Sequence, residues 1–419
     1  MHNRSLQITS AEVRPALLDL PWAIPLDEWP SDVIAALPRG ISRHIVRFAY
    51  LDGQVVAVKE IGEEVAHHEY ETLRDLNRLS APCVEPLAVI TGRYDAAGEP
   101  LNAVLVTRHL SFSMPYRALF GNSQMRTKTV RRLIDALAVL MVRLHLLGFF
   151  WGDVSLSNTL FRRDANEFSA YLVDAETGEL EENLSQRKRL YDIDVARTNI
   201  IGELMDLQAG EILDPEYDAI AVGDRFVERY QDLWAELTEE ESFQASERWR
   251  VDARIRRLND LGFEVGELSM AADIDGTSIS IQPKVVDPGH YSRKLMRLTG
   301  LDVGEKQARR LVNDMESFRM VTGKSNIPLE IVAHEWMMNV YEPTVQAIPF
   351  ELRKKLQPAQ LFHELLEHRW FISERAGHDI PMMPNTVDSY VNDVLAYRPD
   401  ESRMIGRPAG SDDEDLDEE

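Results

Sequence analysis

The sequence predicts an α+β protein in which a two-lobed domain is followed by a mainly α-helical domain. Two β-rich runs flank an Asp-Gly pair at residues 52 and 53, and such a pair is a hairpin signal. A long helical pattern at residues 129–147 leads into a Gly-Asp loop, and helical patterns dominate after about residue 185. The predicted order is therefore a strand-rich lobe, a helix-rich lobe and a helical domain.

The predicted boundaries and elements follow changes of pattern along the chain. The domains are a lead-in at 1–37, an N-lobe at 38–110, a reduced C-lobe at 111–225, a mostly helical domain at 226–405 and a disordered acidic tail at 406–419. In the two lobes, strands are predicted at 45–51, 54–61, 101–107, 158–161 and 170–173, and helices at 62–79 and 129–147. In the last domain, helices are predicted at 305–318, 328–340, 358–374 and 386–397, with one short β-like run at 277–282.

Composition restricts the classes of partner. The chain has 419 residues and a formal net charge of −24, and the acidic tail accounts for only part of that excess. Such a balance weighs against nucleic-acid or anionic-membrane binding, because both need clustered Lys and Arg. Cys83 is the only cysteine, so no intrachain disulfide can form. With no signal-peptide pattern and no apolar run long enough to span a membrane, we expect a cytoplasmic protein.

Lys59 is the first of the polar positions on which the functional prediction depends. It follows Val55-Val-Ala-Val58, and Ala57 shares its strand face, about 7 Å away, because side chains alternate. A small apolar residue can cover a flat base while the lysine reaches a phosphate. The alternative is an exposed lysine at the end of a strand.

Glu69 is the second position, and it interrupts an apolar stripe on the predicted helix. Val65, Leu73 and Leu76 share this face at helical spacing. An inward carboxylate is costly unless it is paired, and Lys59 is the natural partner. The alternative is a glutamate at the edge of an amphipathic helix.

The loop after the long helix contains Asp153 and Asn158, five residues apart, the spacing of a kinase catalytic loop. The aspartate can accept a proton from an attacking hydroxyl, and the asparagine carbonyl suits magnesium. A turn with an Asx cap is the alternative. Asp174 follows sixteen residues after Asn158, about one hairpin further on, where the two could hold magnesium on nucleotide phosphates. In this order and spacing, the positions indicate a protein-kinase-like fold.

These residues are where the chain resembles the protein-kinase-like superfamily, and most closely its bacterial lipopolysaccharide-kinase-like branch, over residues 38–215. The resemblance implies that Lys59 binds phosphate with Glu69 as its partner, that Asp153 is the catalytic aspartate, and that Asn158 and Asp174 are metal ligands. The whole chain is similar to bacterial proteins that join such a domain to a helical C-terminal region of unassigned role. ATP and Mg²⁺ are the cofactors that this resemblance implies, and it names no substrate.

Several positions depart from the family pattern. No Gly-x-Gly-x-x-Gly loop is present, and only Arg39-Gly-Ile-Ser-Arg43 precedes the first strand. Trp151 replaces a histidine, and Ser155 replaces the lysine of protein-serine kinases. Ala175-Glu176 follows Asp174 where Phe-Gly is usual, so the activation segment is expected to be reduced.

Further roles are predicted around this site. Residues 106–112, beginning with Val106, are expected to be the hinge that contacts adenine through backbone groups. Arg43 is a candidate phosphate contact. Asp192 and Asp194 are candidates to brace the catalytic loop. Glu176 is either an extra acidic ligand or a solvated side chain, and we favour the solvated position.

The favoured function is an ATP- and magnesium-dependent phosphotransferase acting on a hydroxyl acceptor, either a sugar or other small molecule or a protein. The alternative is a pseudokinase, that is, a nucleotide-binding scaffold or regulatory interaction protein. The missing glycine loop motivates this alternative, and the presence of Lys59, Asp153, Asn158 and Asp174 opposes it. A protein partner for the C-terminal domain is also expected.

Overall fold

The computed structural model describes residues 5–35, 44–120, 127–244, 247, 249–260, 263–272 and 278–401. The predicted Arg39–Arg43 segment and the predicted acidic tail lie outside these residues. The strands are β1 (Gln7–Ser10), β2 (Ile45–Leu51), β3 (Gln54–Ile61), β4 (Pro86–Thr91), β5 (Ala103–Arg108), β6 (Met114–Pro115), β7 (Phe149–Phe150), β8 (Thr159–Asp164), β9 (Glu167–Leu172), β10 (Glu179–Leu180), β11 (Glu241–Gln244), β12 (Phe263–Ala272) and β13 (Ser278–Pro288).

Helices account for most of the remaining ordered backbone. The α-helices are α1 (Glu63–Arg78), α2 (Tyr116–Phe120), α3 (Thr127–Leu146), α4 (Gln186–Ala209), α5 (Ala219–Thr238), α6 (Trp249–Asp260), α7 (His290–Thr299), α8 (Glu305–Val321), α9 (Leu329–Trp336), α10 (Glu342–Gln346), α11 (Phe350–Arg353), α12 (Pro358–Ala376) and α13 (Val387–Asp393). Short 3₁₀ turns occur at Pro15–Asp19, Leu26–Glu28 and Leu395–Tyr397, and π-helical turns occur at Met337–Tyr341 and Met382–Thr386. No helix among the described residues is both long and apolar enough to cross a bilayer.

A five-stranded sheet in the order β1-β4-β5-β3-β2 carries the lysine strand. Asp52 and Gly53 join β2 to β3 with φ angles of 50° and 72°, the left-handed conformations that a two-residue hairpin turn requires. The predicted strands β2, β3 and β5 are confirmed. Strand β4 was not predicted from the sequence, because all six of its residues are buried and no polar–apolar alternation marks it.

The two faces of β3 have different environments. Val56 and Val58 lie in the apolar core of the sheet, whereas Ala57 and Lys59 alternate to the other face. Arg93 is buried on the core side, where it donates to Glu60 at 2.8 Å and to the backbone oxygen of Ile24 at 2.7 Å. This buried pair therefore ties the lead-in segment to the sheet.

Helices α1 and α3 follow the predicted apolar patterns closely. On α1, Glu69, Leu73 and Leu76 are fully buried as predicted, but Val65 is 38% exposed because it lies in the first turn, at the edge of the packed face. The apolar positions predicted for α3 are all buried: Leu133, Leu137, Leu140, Met141 and Leu144. The Glu69 carboxylate is therefore held inside the fold by the apolar residues of its own helix.

The described residues divide into two compact units. The first contains those up to Phe161 together with Ala170–Val227, and the second contains Arg162–Ser169 and those from Glu228 onwards. The second unit includes a three-stranded sheet in the order β11-β13-β12, whereas the sequence predicted only the short run at 277–282 as β-like. The sequence of β12 is rich in Glu, Leu, Met and Ala, which are good helix formers, so local propensity pointed away from a strand.

The core of the second unit is built on aromatic rings from α9, α12 and the π-helical turn between α9 and α10. Trp336, Tyr341 and Phe362 are buried, with ring centroids 5.1 to 5.5 Å apart. Asp164 caps α8 by accepting hydrogen bonds from the backbone of Gln307 at 2.7 Å and Lys306 at 3.2 Å. Gly304 is needed beside this cap, because a Cβ there would lie 2.4 Å from the Asp164 carboxyl carbon.

Candidate active site

A cavity of about 720 Å³ opens in the first unit, beside β3. Its volume lies in the range of pockets that enclose a small organic ligand. Apolar side chains from the sheet form one wall: Val46, Phe48, Ala57 and Leu105. Most of the predicted polar residues line the same space: Lys59, Glu69, Asp153, Asn158 and Asp174.

Lys59 lies at the centre of an ionic cluster. Its Nζ is 3.0 Å from Glu69 Oε2 and 2.9 Å from Asp174 Oδ2, although Asp174 lies 115 residues further along the chain. Burial opposes the charged ammonium, but the carboxylates of Glu69 and Asp174 outweigh burial and raise the pKa of Lys59 above its ordinary value. Lys59 is therefore held as a cation, pointed at the cavity.

Glu69 is the fully buried partner in this cluster. Burial raises the pKa of its carboxyl to about 7, and the attraction of Lys59 opposes that rise. Its second oxygen accepts a hydrogen bond from the backbone of Ala175 at 3.3 Å. Glu69 thus connects α1 to β3 and to the segment that carries Asp174.

Glu176 belongs to the same cluster, so the solvated position that the sequence favoured is wrong. Its Oε2 lies 3.3 Å from Lys59 Nζ and 3.0 Å from His44 Nε2, and its side chain is only 12% exposed. A turn follows β9 here, and the backbone N–H of Glu176 donates to Asp174 Oδ1 at 3.1 Å, which keeps the two acidic residues close together. The spacing of two residues between Asp174 and Glu176 was the sequence feature that could have indicated this contact. No sequence feature indicated the contact of His44.

The catalytic-loop positions also meet in the cavity. Asn158 donates its Nδ2 to the backbone oxygen of Asp153 at 3.0 Å and to Asp153 Oδ2 at 3.3 Å. Asn199, which the sequence analysis did not select, donates to the backbone oxygen of Val154 at 2.9 Å and lies 3.5 Å from Asp153 Oδ1. Both oxygens of the Asp153 carboxylate are thus close to a side-chain amide.

Asp192 on α4 braces the loop, whereas Asp194 is exposed. The buried Asp192 carboxylate accepts the backbone N–H groups of Trp151 and Gly152, both at 2.8 Å. His145 also contacts it at 3.2 Å, and burial holds the pKa of this imidazole below its ordinary value. Of the two aspartates predicted to brace the loop, only the inward-facing Asp192 therefore contacts it.

Glu203, one further residue of α4, holds the other half of the loop. It accepts the backbone N–H groups of Leu156 and Ser157, both at 2.8 Å, and the Ser157 hydroxyl. Burial raises the pKa of this carboxyl. Glu203 was not predicted from the sequence. It lies forty-five residues after Asn158, and no local pattern indicates that it contacts the loop.

Val106 does not line the cavity, contrary to its predicted contact with the nucleotide. Its side chain is fully buried in the core, and its backbone lies in the ladders of β5 with β3 and β4. Leu105 and Thr107, on either side of it, face the cavity because side chains alternate. Of the predicted hinge, the residues that line the cavity are Thr107, Arg108, His109 and Leu110.

The donor set fits a hard divalent cation. Magnesium prefers oxygen ligands, and the cavity presents the carboxylate of Asp174 and the amide oxygen of Asn158. The Asn158 Nδ2 donates to Asp153, which leaves Oδ1 as the atom of that amide that would face a cation. The Glu69, Asp174 and Glu176 side chains offer oxygens that all lie within 4.8 Å of one another.

A strand lysine, a buried helix glutamate, a loop Asp–Asn pair and a further aspartate together define a site of the protein-kinase-like class. Residues 51–198 match the family model described as lipopolysaccharide kinase (Kdo/WaaP) family. This part of the chain is therefore similar to the family, and the resemblance seen in the sequence is confirmed.

Residues 232–395 match a second family model, described as a domain of unknown function, DUF4032. A solved structure titled "WaaP in complex with acyl carrier protein" is similar over 61% of this chain and 99% of that chain, with 15% identity and a TM-score of 0.34. No curated protein matched the chain.

Proposed function

We propose that the chain is an ATP- and magnesium-dependent phosphotransferase that transfers the γ-phosphate of ATP to a hydroxyl group. One observation carries the proposal: Lys59 Nζ lies 3.0 Å from Glu69 and 2.9 Å from Asp174, on a cavity that Asp153 and Asn158 also line. Five side chains that phosphoryl transfer uses for positioning and charge neutralisation thus share one space. The match of residues 51–198 to a kinase family supports the same proposal.

Each side chain has a role that follows from its surroundings. Lys59 would bind the α- and β-phosphates, with Glu69 orienting its ammonium. Asn158 and Asp174 would hold Mg²⁺, which neutralises phosphate charge when bound. Asp153 would orient the acceptor hydroxyl and take its proton.

The nucleotide base would occupy a separate part of the cavity. Ala57 and Leu105 offer apolar surface to a flat base, and backbone groups of residues 108–110, which line the same cavity, would contact its edge. The proposed adenine contact therefore stays within the predicted hinge, but it involves residues after Val106 and not Val106 itself.

The acceptor is proposed to be a hydroxyl of a sugar or another small molecule, with a protein side chain as the second class to test. The family description, lipopolysaccharide kinase, makes a sugar hydroxyl the first choice. Ser155, in place of the lysine of protein-serine kinases, supports the same order. A protein partner for the C-terminal domain stays a prediction.

Replacing Asp153 by Asn tests the proposal, because Asn has nearly the same shape but cannot accept the hydroxyl proton. Turnover should fall by about 10²–10⁴-fold, the usual contribution of a general base, while Mg-ATP affinity changes little. ADP release with a panel of sugars, polyols and protein acceptors measures turnover, and calorimetry measures binding. Asp232→Asn, at an exposed aspartate, is the matched control.

Two outcomes would contradict the proposal. Equal turnover in the Asp153→Asn variant and the wild type would remove the assigned role of that carboxylate. Tight Mg-ATP binding by the wild type with no turnover across the whole panel would favour the nucleotide-binding scaffold instead.

A further inference from the structure

The Lys59 ammonium has one more carboxylate neighbour than its predicted role requires. Besides Glu69 and Asp174, Glu176 Oε2 lies 3.3 Å from Lys59 Nζ and also 3.0 Å from His44 Nε2. Both Lys59 and His44 line the cavity. The Glu176 side chain therefore lies against two nitrogen groups that a phosphate would otherwise meet.

The charge of this cluster opposes a bare nucleotide. Three carboxylates surround one ammonium, all of them largely buried, so the cluster carries an excess of negative charge. A nucleoside triphosphate is itself a polyanion, and repulsion between like charges is strong where water is scarce. Nucleotide binding here thus requires an additional positive charge.

The geometry shows which carboxylates can share a cation. Glu69 is fully buried and is already held by Lys59 and by the backbone of Ala175. Asp174 lines the cavity with its side chain 18% exposed, Glu176 is 12% exposed, and one oxygen from each of the three carboxylates lies within 4.8 Å of the others. Opposite ligands of a magnesium ion lie about 4.2 Å apart, so only a small movement of Glu176 would bring it into coordination with Asp174.

We propose that Glu176 is a ligand of the divalent cation and that, when the cation is absent, it occupies Lys59 and His44 in place of phosphate. The proposal rests on the phosphotransferase function above and adds a third ligand to the predicted pair, Asn158 and Asp174. Cation binding draws Glu176 away from Lys59 and frees the ammonium for the nucleotide. The cation therefore binds before the nucleotide or together with it, and the cation-free nucleotide binds more weakly.

Direct cation binding provides the first test. Mn²⁺ is titrated into the full chain without nucleotide, and free Mn²⁺ is followed by electron paramagnetic resonance. We expect the wild type to bind Mn²⁺ and Glu176→Gln to bind it at least about tenfold more weakly, since even changes outside the ligand shell commonly cost that much. Glu71→Gln, at an exposed glutamate of α1, should bind like the wild type.

Nucleotide binding in EDTA provides the second test. Here the proposal predicts that the variant gains affinity for ATP rather than losing it. ATP should bind Glu176→Gln about tenfold more tightly than the wild type without a cation, since the variant removes one negative charge from the cluster. With saturating Mg²⁺ the order should reverse. Circular dichroism and thermal melting check that the variants are folded, and Glu176→Asp, which keeps a carboxylate, replaces Glu176→Gln if that variant fails to fold and should retain Mn²⁺ binding.

The results separate this inference from the proposed function. Unchanged Mn²⁺ affinity in Glu176→Gln, or ATP binding to the wild type that is as tight in EDTA as in Mg²⁺, overturns the role of Glu176. In that case phosphoryl transfer by a wild type that still binds Mg-ATP leaves the proposed function intact. Absence of ATP binding in every condition would overturn both.

Discussion

The indole Nε1 of Trp151 donates a hydrogen bond of 2.8 Å to the backbone oxygen of Asp174. This bond joins the loop of Asp153 and Asn158 to the segment that carries a proposed metal ligand. The Thr177 hydroxyl makes a second link, because it donates to the backbone oxygen of Trp151 at 2.7 Å. Trp151 stands where typical protein kinases have histidine, and here a buried indole makes the connection between the two segments.

Trp151→Phe keeps an aromatic ring but removes the donor. The part-buried carbonyl of Asp174 would then lose this donor, at a cost of about 0.5–1.5 kcal/mol in the free energy of unfolding. Turnover should fall more than nucleotide binding, since a displacement of about 1 Å at a catalytic group can cost roughly a hundredfold. Urea unfolding and ADP release measure the two effects.

The control for this variant is Trp370→Phe, because Trp370 is 66% exposed. It should unfold and turn over like the wild type. A Trp151→Phe variant with full activity and full stability would show that the ring, and not the N–H group, is what the site needs.

Glu203→Gln tests whether α4 holds the loop through a charged acceptor. The carboxylate accepts two backbone N–H groups at 2.8 Å, one at each oxygen, and a glutamine can accept at only one. We expect the loop to loosen, turnover to fall by about tenfold or more, and stability to drop by about 1–3 kcal/mol.

Hydrogen exchange at the Leu156 and Ser157 amides reports the loosening directly. Glu216→Gln, at an exposed glutamate, should leave both amides as protected as in the wild type. Equal protection of these amides in Glu203→Gln would contradict the assigned role.

His145 should make stability depend on pH. Burial lowers the pKa of its imidazole in the folded state, although Asp192 opposes that shift, whereas the unfolded chain has the ordinary value of about 6.5. The unfolded state therefore binds more protons just below pH 6.5. The stabilising contribution is complete above that pH and is lost as the pH falls towards the folded-state pKa.

His145→Asn removes this titration and keeps an N–H donor near Asp192. Unfolding free energies measured by urea between pH 5 and 8 should fall less steeply for the variant than for the wild type below pH 6.5, by up to about 1.4 kcal/mol per pH unit. His378→Asn, at an exposed histidine, should show the wild-type slope. Identical slopes for all three proteins would show that His145 does not titrate with unfolding.

Local patterns in the sequence were sufficient to predict the strand of Lys59, the helix of Glu69 and the loop of Asp153 and Asn158. The Asp52-Gly53 turn, the alternation along β3 and the helical periodicity of α1 and α3 each arise from contacts between residues near in sequence. The same patterns placed Lys59 and Glu69 on facing surfaces, and they placed Asp153 and Asn158 in one loop.

The tertiary structure decided which polar side chains meet. Glu176 contacts Lys59 across 117 residues, Asp192 rather than Asp194 reaches the loop, and Val106 points away from the cavity. Periodicity indicates the face of an element on which a residue lies. The packing of α4 and the sheet determines which other residues that face contacts. Contacts between distant parts of the chain depend on how whole elements dock, and no short stretch of sequence encodes that.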